Sequence, residues 1–436
     1  TMNPNNLTEL CALALKYGSD KCPQIKHHFT TFYFNLLKAK RESVKKVLEI
    51  GMSSRASLYM WRDFFPNAQI YGADILPELV FKDDRIETFL CSQSNKEDLE
   101  KLIEKTGLDI DLVIDNGSHL PEDQVFTCLT LMPMLKRGAI YVIEVVRDLG
   151  IMEKLKDYDC QYPRFKHKSC WDDRLIVIKN KMKIDVYSNM YNEEVILPYW
   201  LRHYETFADR IFVWDDGSTD STHEILKKHP KVTILPVEKH GVDDVYRTIS
   251  LFPQYEKYSR GVSDWVIGVD ADEFVYHPHL LEVLKKAQED GIQVIRCEGY
   301  SMVSEGLPVA GGQIYDEIKM GLSDSLEKKW VIHSSNIHIR YAKGRHGPVH
   351  NQRAYVRNRG TGIKLLHYRY LGEEYYKSRD RKIFERVKVA FPALDTVDNV
   401  FTLEGKRTCP DGKRINPYEW YAEHKREAFN VLDVQE

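Results

Sequence analysis

Two separate alternations of apolar strand and charged helix, each opening on its own strand, constrain this chain more than any other feature of its sequence. The first opens at Val47-Leu48-Glu49-Ile50-Gly51 and continues through Gln69-Ile70-Tyr71-Gly72-Ala73-Asp74 and Ile110-Asp111-Leu112-Val113-Ile114-Asp115. Ala139-Ile140-Tyr141-Val142-Ile143-Glu144 and Arg174-Leu175-Ile176-Val177-Ile178-Lys179 complete it. Lys96 to Thr106 and Pro121 to Lys136 have helical spacing between those strands. The lysine-rich Lys179-Asn180-Lys181-Met182-Lys183 follows, and a second alternation then begins. Its strands are Ile184-Asp185-Val186-Tyr187-Ser188, Ile211-Phe212-Val213-Trp214-Asp215, Val232-Thr233-Ile234-Leu235, Trp265-Val266-Ile267-Gly268-Val269-Asp270 and Gln293-Val294-Ile295-Arg296. The pattern predicts two α/β domains, 1–181 and 182–436. From about 373 the chain is charged and aromatic and reads as a helical tail with loops.

A length of 436 residues, 43% of them hydrophobic, is enough for two or three such domains with real cores. The net charge of -3 gives no general footprint for nucleic acid. No apolar run approaches the roughly 18 residues that suggest a membrane span. No basic-then-apolar signal segment opens the sequence, and Thr1 ahead of Met2 reads as a cloning remnant before a native start. The eight cysteines are scattered without a C-x-x-C pair, which indicates neither a zinc site nor a redox motif.

The second alternation carries the sharper chemistry. After the strand at Arg210 comes Asp215-Asp216-Gly217-Ser218-Thr219-Asp220-Ser221-Thr222, then a helix. A helix-capping loop explains Ser221 or Thr222. It does not explain the paired Asp215 and Asp216, whose repulsion calls for a donor-rich ligand or solvent. Further on, a strictly apolar strand delivers Asp270 and Asp272, two residues apart, at its end. Hard divalent cations prefer oxygen ligands, and Mg or Mn commonly takes few protein carboxylates plus phosphate oxygens. A cation held there can neutralise a departing diphosphate. A lone D-x-D is weak evidence, because acidic pairs are common on surfaces. Its place after this strand and after the Asp-rich turn makes it strong.

Residues 184–372 resemble family-two-like glycosyltransferases of the GT-A fold. The likeness runs from Asn189-Met190-Tyr191-Asn192-Glu193-Glu194 through Asp215-Asp216-Gly217-Ser218 and Asp270-Ala271-Asp272-Glu273-Phe274 to Leu365-Leu366-His367-Tyr368-Arg369-Tyr370. The resemblance implies that Asn189, Glu193, Asp215, Asp216 and Asp270 bind a nucleotide-sugar donor. It implies a divalent metal, Mn or Mg, at Asp270 and Asp272, with His367 as a third ligand. Such enzymes of the inverting kind use a carboxylate to deprotonate the acceptor hydroxyl. Asp316 and Glu317 hold a suitable place in chain order, and Glu305 is an alternative. His346 and His350 either line the acceptor side, bind phosphate or are structural.

In the first alternation, Asp74, Asp115 and Glu144 each end a strand, at the edge where open parallel sheets bind ligands. This half resembles class I S-adenosylmethionine-dependent methyltransferases, closest to the branch that methylates sugars in antibiotic and polysaccharide pathways. The leader Tyr17-Gly18-Ser19-Asp20-Lys21 with His27-His28-Phe29-Thr30, the segment Leu48-Glu49-Ile50-Gly51, and Asp115-Asn116-Gly117-Ser118-His119 carry the likeness. It implies cofactor contacts at Glu49, Gly51, Asp74, Ser92, Gln93 and Asp115. It also implies a divalent metal at Asp115 and Glu144, with His119 as base. Two positions depart from the pattern. Arg55 stands where the turn has another glycine, and Val145 follows Glu144 where the branch has an aspartate.

Together these readings give two Rossmann-like α/β domains, a class I methyltransferase fold followed by a GT-A fold. The expected function is bifunctional glycan biosynthesis, with sugar transfer to a glycan or glycolipid acceptor and O-methylation of a sugar hydroxyl. A glycosyltransferase with a degenerate first domain, and a non-catalytic sugar-nucleotide or glycan-binding protein, are the alternatives. Reduced, scattered cysteines fit the cytoplasm. Peripheral contact with a membrane stays open, because glycan assembly often occurs there.

Overall fold

The structure is a computed structural model. It describes residues 7–163, 165, 173–238, 246–309, 311–323, 328–341, 345, 357–358, 360–390, 407–408, 414–415 and 425–433. His346 and His350 lie outside the described residues. The chain divides into two compact units, Thr1–Lys181 and Met182–Glu436. Both are Rossmann-like α/β folds.

The first unit is built on β1 (Lys46–Ile50), β2 (Gln69–Asp74), β3 (Lys82–Asp83), β4 (Ile86–Leu90), β5 (Leu112–Asp115), β6 (Ile140–Glu144), β7 (Tyr158–Gln161) and β8 (Leu175–Asn180). Their order in the sheet is β3-β4-β2-β1-β5-β6-β8-β7. The run from β4 to β6 is parallel, while β3, β8 and β7 join antiparallel. Both faces of β1 are buried. Val47 and Glu49 face the layer of α1 (Glu9–Tyr17), α2 (Phe29–Leu37) and α3 (Ala56–Phe64). Leu48 and Ile50 face α4 (Lys96–Thr106) and α5 (Pro121–Leu131). Near-continuous apolar strands are the consequence of covering a parallel sheet on both sides. The chain leaves β1 toward β2 and β4, then returns to place β5 on the other side of β1. That reversal opens a crevice beyond the carboxyl ends of β1 and β5.

The second unit has a sheet of order β11-β10-β9-β12-β17-β14-β18. Its strands are β9 (Ile184–Met190), β10 (Arg210–Asp215), β11 (Val232–Leu235), β12 (Trp265–Gly268), β14 (Val294–Ile295), β17 (Ile332–Ser334) and β18 (Arg357–Asn358). The four strands from β11 to β12 are parallel; the chain adds β10 and β11 on one side of β9 and then returns to place β12 on its other side. A smaller sheet joins β13 (Glu273–Tyr276), β19 (Lys364–Leu371), β15 (Glu298–Ser304), β16 (Met320–Ser323) and β20 (Phe429–Asn430). The helices that matter below are α6 (Leu197–Tyr204), α7 (Thr222–Lys228), α8 (Leu280–Glu289), α9 (Ile314–Glu317) and α10 (Glu373–Ala390). Asp185 in the middle of β9 is fully buried, and Arg210 of β10 grips both of its oxygens at 2.9 and 2.6 Å. A buried charge inside a strand persists only with such a partner.

The tail expected to be helical from about 373 begins as α10. No helix among the described residues is long and apolar enough to cross a membrane. The described cysteines Cys11, Cys22, Cys91, Cys128, Cys160 and Cys297 are free thiols.

Candidate functional site

In the first unit the residues converge on the β1/β5 crevice. Gly51 has φ +79°, and a Cβ there would lie 2.3 Å from the Asn116 carbonyl oxygen. Only glycine lets the chain turn here while β5's loop presses against it. Gly51→Ala is expected to destabilise this unit by about 2 kcal/mol or more, from a left-handed alanine and a backbone clash. Thermal or urea unfolding checks it. Asp74 closes β2. Its Oδ2 accepts the Met52 amide at 2.8 Å and its Oδ1 the Leu76 amide at 3.1 Å. Each oxygen keeps a second lone pair for a ligand hydroxyl.

Asp115 is fully buried at the end of β5. It accepts hydrogen bonds from Gln93 at 3.2 Å, the Gly117 amide at 3.3 Å and Tyr141 at 3.0 Å. Gln93 in turn accepts the Ser118 amide at 2.6 Å, so the Asp115–His119 loop is held from below. His119 is half-buried with φ +58°. Ser92 is tied to its own turn, its amide donating to Asp98 at 3.1 Å. Burial pushes the Asp115 carboxyl up to about 7, against the hydrogen bonds that pull it down. An unfolded aspartate titrates near roughly 3.9. The folded chain therefore keeps a proton that the unfolded chain loses between about pH 4 and 7. Asp115's contribution to stability is full below pH 4 and falls away as the pH rises to about 7. Asp115→Asn should flatten that fall, which melting temperatures from pH 4 to 8 in EDTA would show.

Glu144, expected as a metal ligand, has its carboxylate taken by Lys21, and by the Tyr33 hydroxyl at 2.6 Å. Lys21 also pairs with Glu49 at 3.2 Å, and Trp61 donates to Glu49 at 3.0 Å. Burial alone would lower the Lys21 pKa, but the two glutamates outweigh it and hold the ammonium above its ordinary value. Glu144 is thus spent on an internal charge network. Arg55 does not intrude on the crevice through its side chain. Its guanidinium donates to the Glu78 carbonyl at 3.1 Å and lies over Phe81. Val145 has φ +56°, an uncommon conformation for a β-branched residue.

In the second unit the parallel strands bring Asn189, Asp215, Asp216 and Asp270 to one edge. The loops after β9 and β10 are stitched together. Asn192 (φ +54°) accepts the Thr219 amide at 2.7 Å, and the Glu193 amide donates to Thr222 at 2.8 Å. The two aspartates divide their work. Asp215 accepts the Ser218 amide at 3.0 Å and pairs with His223 at 2.8 Å, so it shapes the turn into α7. Asp216 is buried, its amide donating to the Met190 carbonyl at 2.8 Å. The Asn189 side chain donates to the Trp214 carbonyl at 3.0 Å, fixing β9 against β10.

Asp270 follows β12. Its amide donates to Glu273 at 2.8 Å, and its carbonyl accepts the Trp200 indole at 3.2 Å. Its carboxylate meets Arg247 at 3.1 Å and Arg345 at 3.0 Å. Asp272 meets His367 at 2.8 Å and Arg379. The β13–β19 pairing, which sets Glu273 opposite His367, brings His367 here. Burial would raise both carboxyls, but these cations outweigh it and hold Asp270 and Asp272 far below the usual range. Both are therefore anionic at any physiological pH. Among the described residues no three His, Cys, Asp or Glu side chains gather tightly enough to enclose a metal alone. The carboxylates of Asp270 and Asp272 are engaged by Arg247, Arg345, His367 and Arg379, and a metal there would draw most of its ligands from phosphate and water.

Asp316 and Glu317, the expected bases, both hold local contacts. Asp316 accepts the Gln313 amide at 3.0 Å in the capping box of α9. Glu317 accepts the Val309 amide at 2.9 Å. The sequence reading did not single out Arg247, Lys329, Arg345 or Arg379 as site residues. Arginine in a loop or charged tail carries no local pattern that marks it. Lys21 belongs to the leader Tyr17-Gly18-Ser19-Asp20-Lys21, but nothing local marks Glu49 and Glu144 as its partners.

Residues 189–309 match the family model for glycosyl transferase family 2. The 8-demethyl-8-(2-methoxy-alpha-L-rhamnosyl)-tetracenomycin-C 3'-O-methyltransferase of Streptomyces olivaceus is 36% identical over 143 residues, 31% of this chain and 36% of that protein. This chain thus spans little more than a third of that relative's length. The MycE methyltransferase of the mycinamycin biosynthetic pathway, solved with Mg and SAH, is similar at 24% identity. That alignment covers 39% of this chain and 54% of MycE, with a TM-score of 0.35. The S. aureus TarS fragment 1–349 is similar at 16% identity, covering 48% of this chain and 66% of that one, with a TM-score of 0.27. The chain therefore combines a segment that matches the model for glycosyl transferase family 2 with a segment similar to sugar O-methyltransferases.

Proposed function

We propose that the chain is a bifunctional enzyme of glycan synthesis. The second unit transfers a sugar from a nucleotide-sugar donor, with inversion, and the first methylates a sugar hydroxyl with S-adenosylmethionine. One observation carries the reading. Two anionic aspartates, Asp270 and Asp272, sit at a strand end amid arginines, within the segment that matches family 2 glycosyltransferases. Asp216 and Asn189 border the same edge and are assigned to the donor nucleotide. Asp270, Asp272 and His367 would hold a divalent metal, which when bound supplies Lewis-acid neutralisation of the leaving diphosphate. Acidic partners alone would repel a diphosphate, so the surrounding cations support a phosphate-bearing donor.

In the first unit, Asp74 is assigned to the cofactor ribose and Gly51 to its close approach. Asp115 and Gln93 are assigned to the crevice floor. Glu144 is given a structural role, because Lys21 and Tyr33 hold its carboxylate. Joining the two activities in one chain raises the local concentration of a shared intermediate.

The test is transfer or hydrolysis of UDP-, GDP- and dTDP-sugars with Mn²⁺ and with EDTA, beside calorimetric titration with S-adenosylmethionine. Turnover of one donor that is lost in EDTA supports the sugar-transfer half. No cofactor binding at millimolar concentration would reduce the reading to a glycosyltransferase with an inactive first unit.

A further inference from the structure

The cluster around Asp270 and Asp272 carries its own counter-ions. Asp270 is shared by Arg247 and Arg345, while Asp272 is held by Arg379 beside His367. Glu273 takes Arg345 at 2.9 Å and Lys329. Glu193 takes Arg379 at 3.1 and 3.4 Å. These carboxylates and cations balance charge for charge. A divalent cation arriving alone must displace a guanidinium from an aspartate. A diphosphate arriving alone must compete with the same aspartates for the guanidiniums. Arriving together, they let every charge exchange one partner for another, which avoids stranding a buried charge.

The cations differ in their freedom to make that exchange. Arg345 and Lys329 are both buried and anchored on the fully buried Glu273. Arg247 and Arg379 are both more open, at 15% side-chain exposure, and of these Arg379 bridges Asp272 to Glu193 from α10. It lies outside the segment that matches the family. Its neighbour one turn on, Lys382, donates to the Asn192 carbonyl at 3.2 Å, so α10 is fastened along the rim of the same edge. A planar guanidinium that already grips two carboxylates is also suited to phosphate oxygens.

We propose that Arg379 is a ligand of the donor's diphosphate, held on Asp272 until a divalent cation replaces it there. Metal and donor then bind cooperatively. The inference rests on the nucleotide-sugar reading of this site. It adds a recognition residue from the C-terminal helix and an ordering of charge.

The test uses the full chain and free Mn²⁺ measured by electron paramagnetic resonance, with and without UDP, GDP or dTDP. Wild type should bind Mn²⁺ weakly alone and about tenfold tighter with its preferred diphosphate. The diphosphate should gain by the same factor from Mn²⁺. Arg379→Gln should bind Mn²⁺ alone about tenfold tighter than wild type, since no charged contact is displaced. Its coupling to diphosphate should fall below that of wild type, leaving the part the metal makes directly with phosphate oxygens. Arg379→Lys, which keeps the charge, should keep the weak metal binding. Unchanged or weaker Mn²⁺ binding in Arg379→Gln overturns the proposal. If that variant does not fold, wild type still decides, because absent coupling between Mn²⁺ and a bound diphosphate overturns it too. If no diphosphate binds wild type under any condition, the nucleotide-sugar reading fails. The Mn²⁺-only comparison then still judges the exchange at Asp272.

Discussion

Asp272→Ala is expected to reduce sugar transfer by about 10³-fold or more while leaving S-adenosylmethionine binding intact. The size follows from removing a charged group that acts on a developing diphosphate, where electrostatic stabilisation is usually the largest single contribution. Asp272 is nearly fully buried, and its carboxylate is the meeting point of His367 and Arg379. Alanine leaves the Arg379 guanidinium and the His367 ring with no anion between them. The metal would lose one of its two carboxylates. Steady-state transfer with Mn²⁺, together with cofactor titration of the same preparation, checks both parts. Transfer that persists at the wild-type rate would show that Asp272 does not hold the metal. Asp272→Asn separates charge from shape, because it keeps the side chain's size and its acceptor oxygen.

Lys21→Met is expected to destabilise the first unit by about 3–5 kcal/mol, the scale found when one partner of a buried ion pair is removed. Lys21 is only 1% exposed, and it is the cation between Glu49 and Glu144. Methionine fills similar volume but leaves two carboxylates buried without a positive charge. Burial already pushes the Glu49 carboxyl up, with Lys21 pulling against it. In the variant that restraint is gone, so the Glu49 carboxyl takes up a proton more readily when folded than when unfolded. The variant's deficit should therefore shrink as the pH is lowered toward 4 and grow toward neutrality. Glu144→Gln in the same chain should restore part of the loss, and the double-mutant cycle measures the coupling. A melting temperature unchanged by Lys21→Met at neutral pH would contradict this account.

Much of the fold was legible because the signals are local. An apolar run bounded by polar residues marks a buried strand wherever it sits, and Lys96 to Thr106 is α4 just as its spacing predicts. Strand limits shifted where pairing partners ran out. The expected Gln293–Arg296 strand shortens to Val294–Ile295, whose two ladder positions match those of β17 and β18. The aspartates at strand ends were equally readable, because parallel strands deliver their carboxyl ends to one edge. The roles of individual acids were less so. Asp215 and Asp216 are adjacent in sequence, yet one caps a turn and the other is buried.

The sequence by itself determined two α/β units and the acidic strand ends Asp74, Asp115, Glu144, Asp215 and Asp270. Each depends on a short stretch of chain and on the period of strands and helices. Only the tertiary structure decided which charges face one another. It spends Glu144 on Lys21, 123 residues earlier, and joins Asp272 to Arg379, 107 residues later. Long cationic side chains look alike in a sequence whether they end in solvent or on a buried carboxylate. Their partners are chosen by how the sheets bring distant loops together, and by the large penalty on any buried charge left alone.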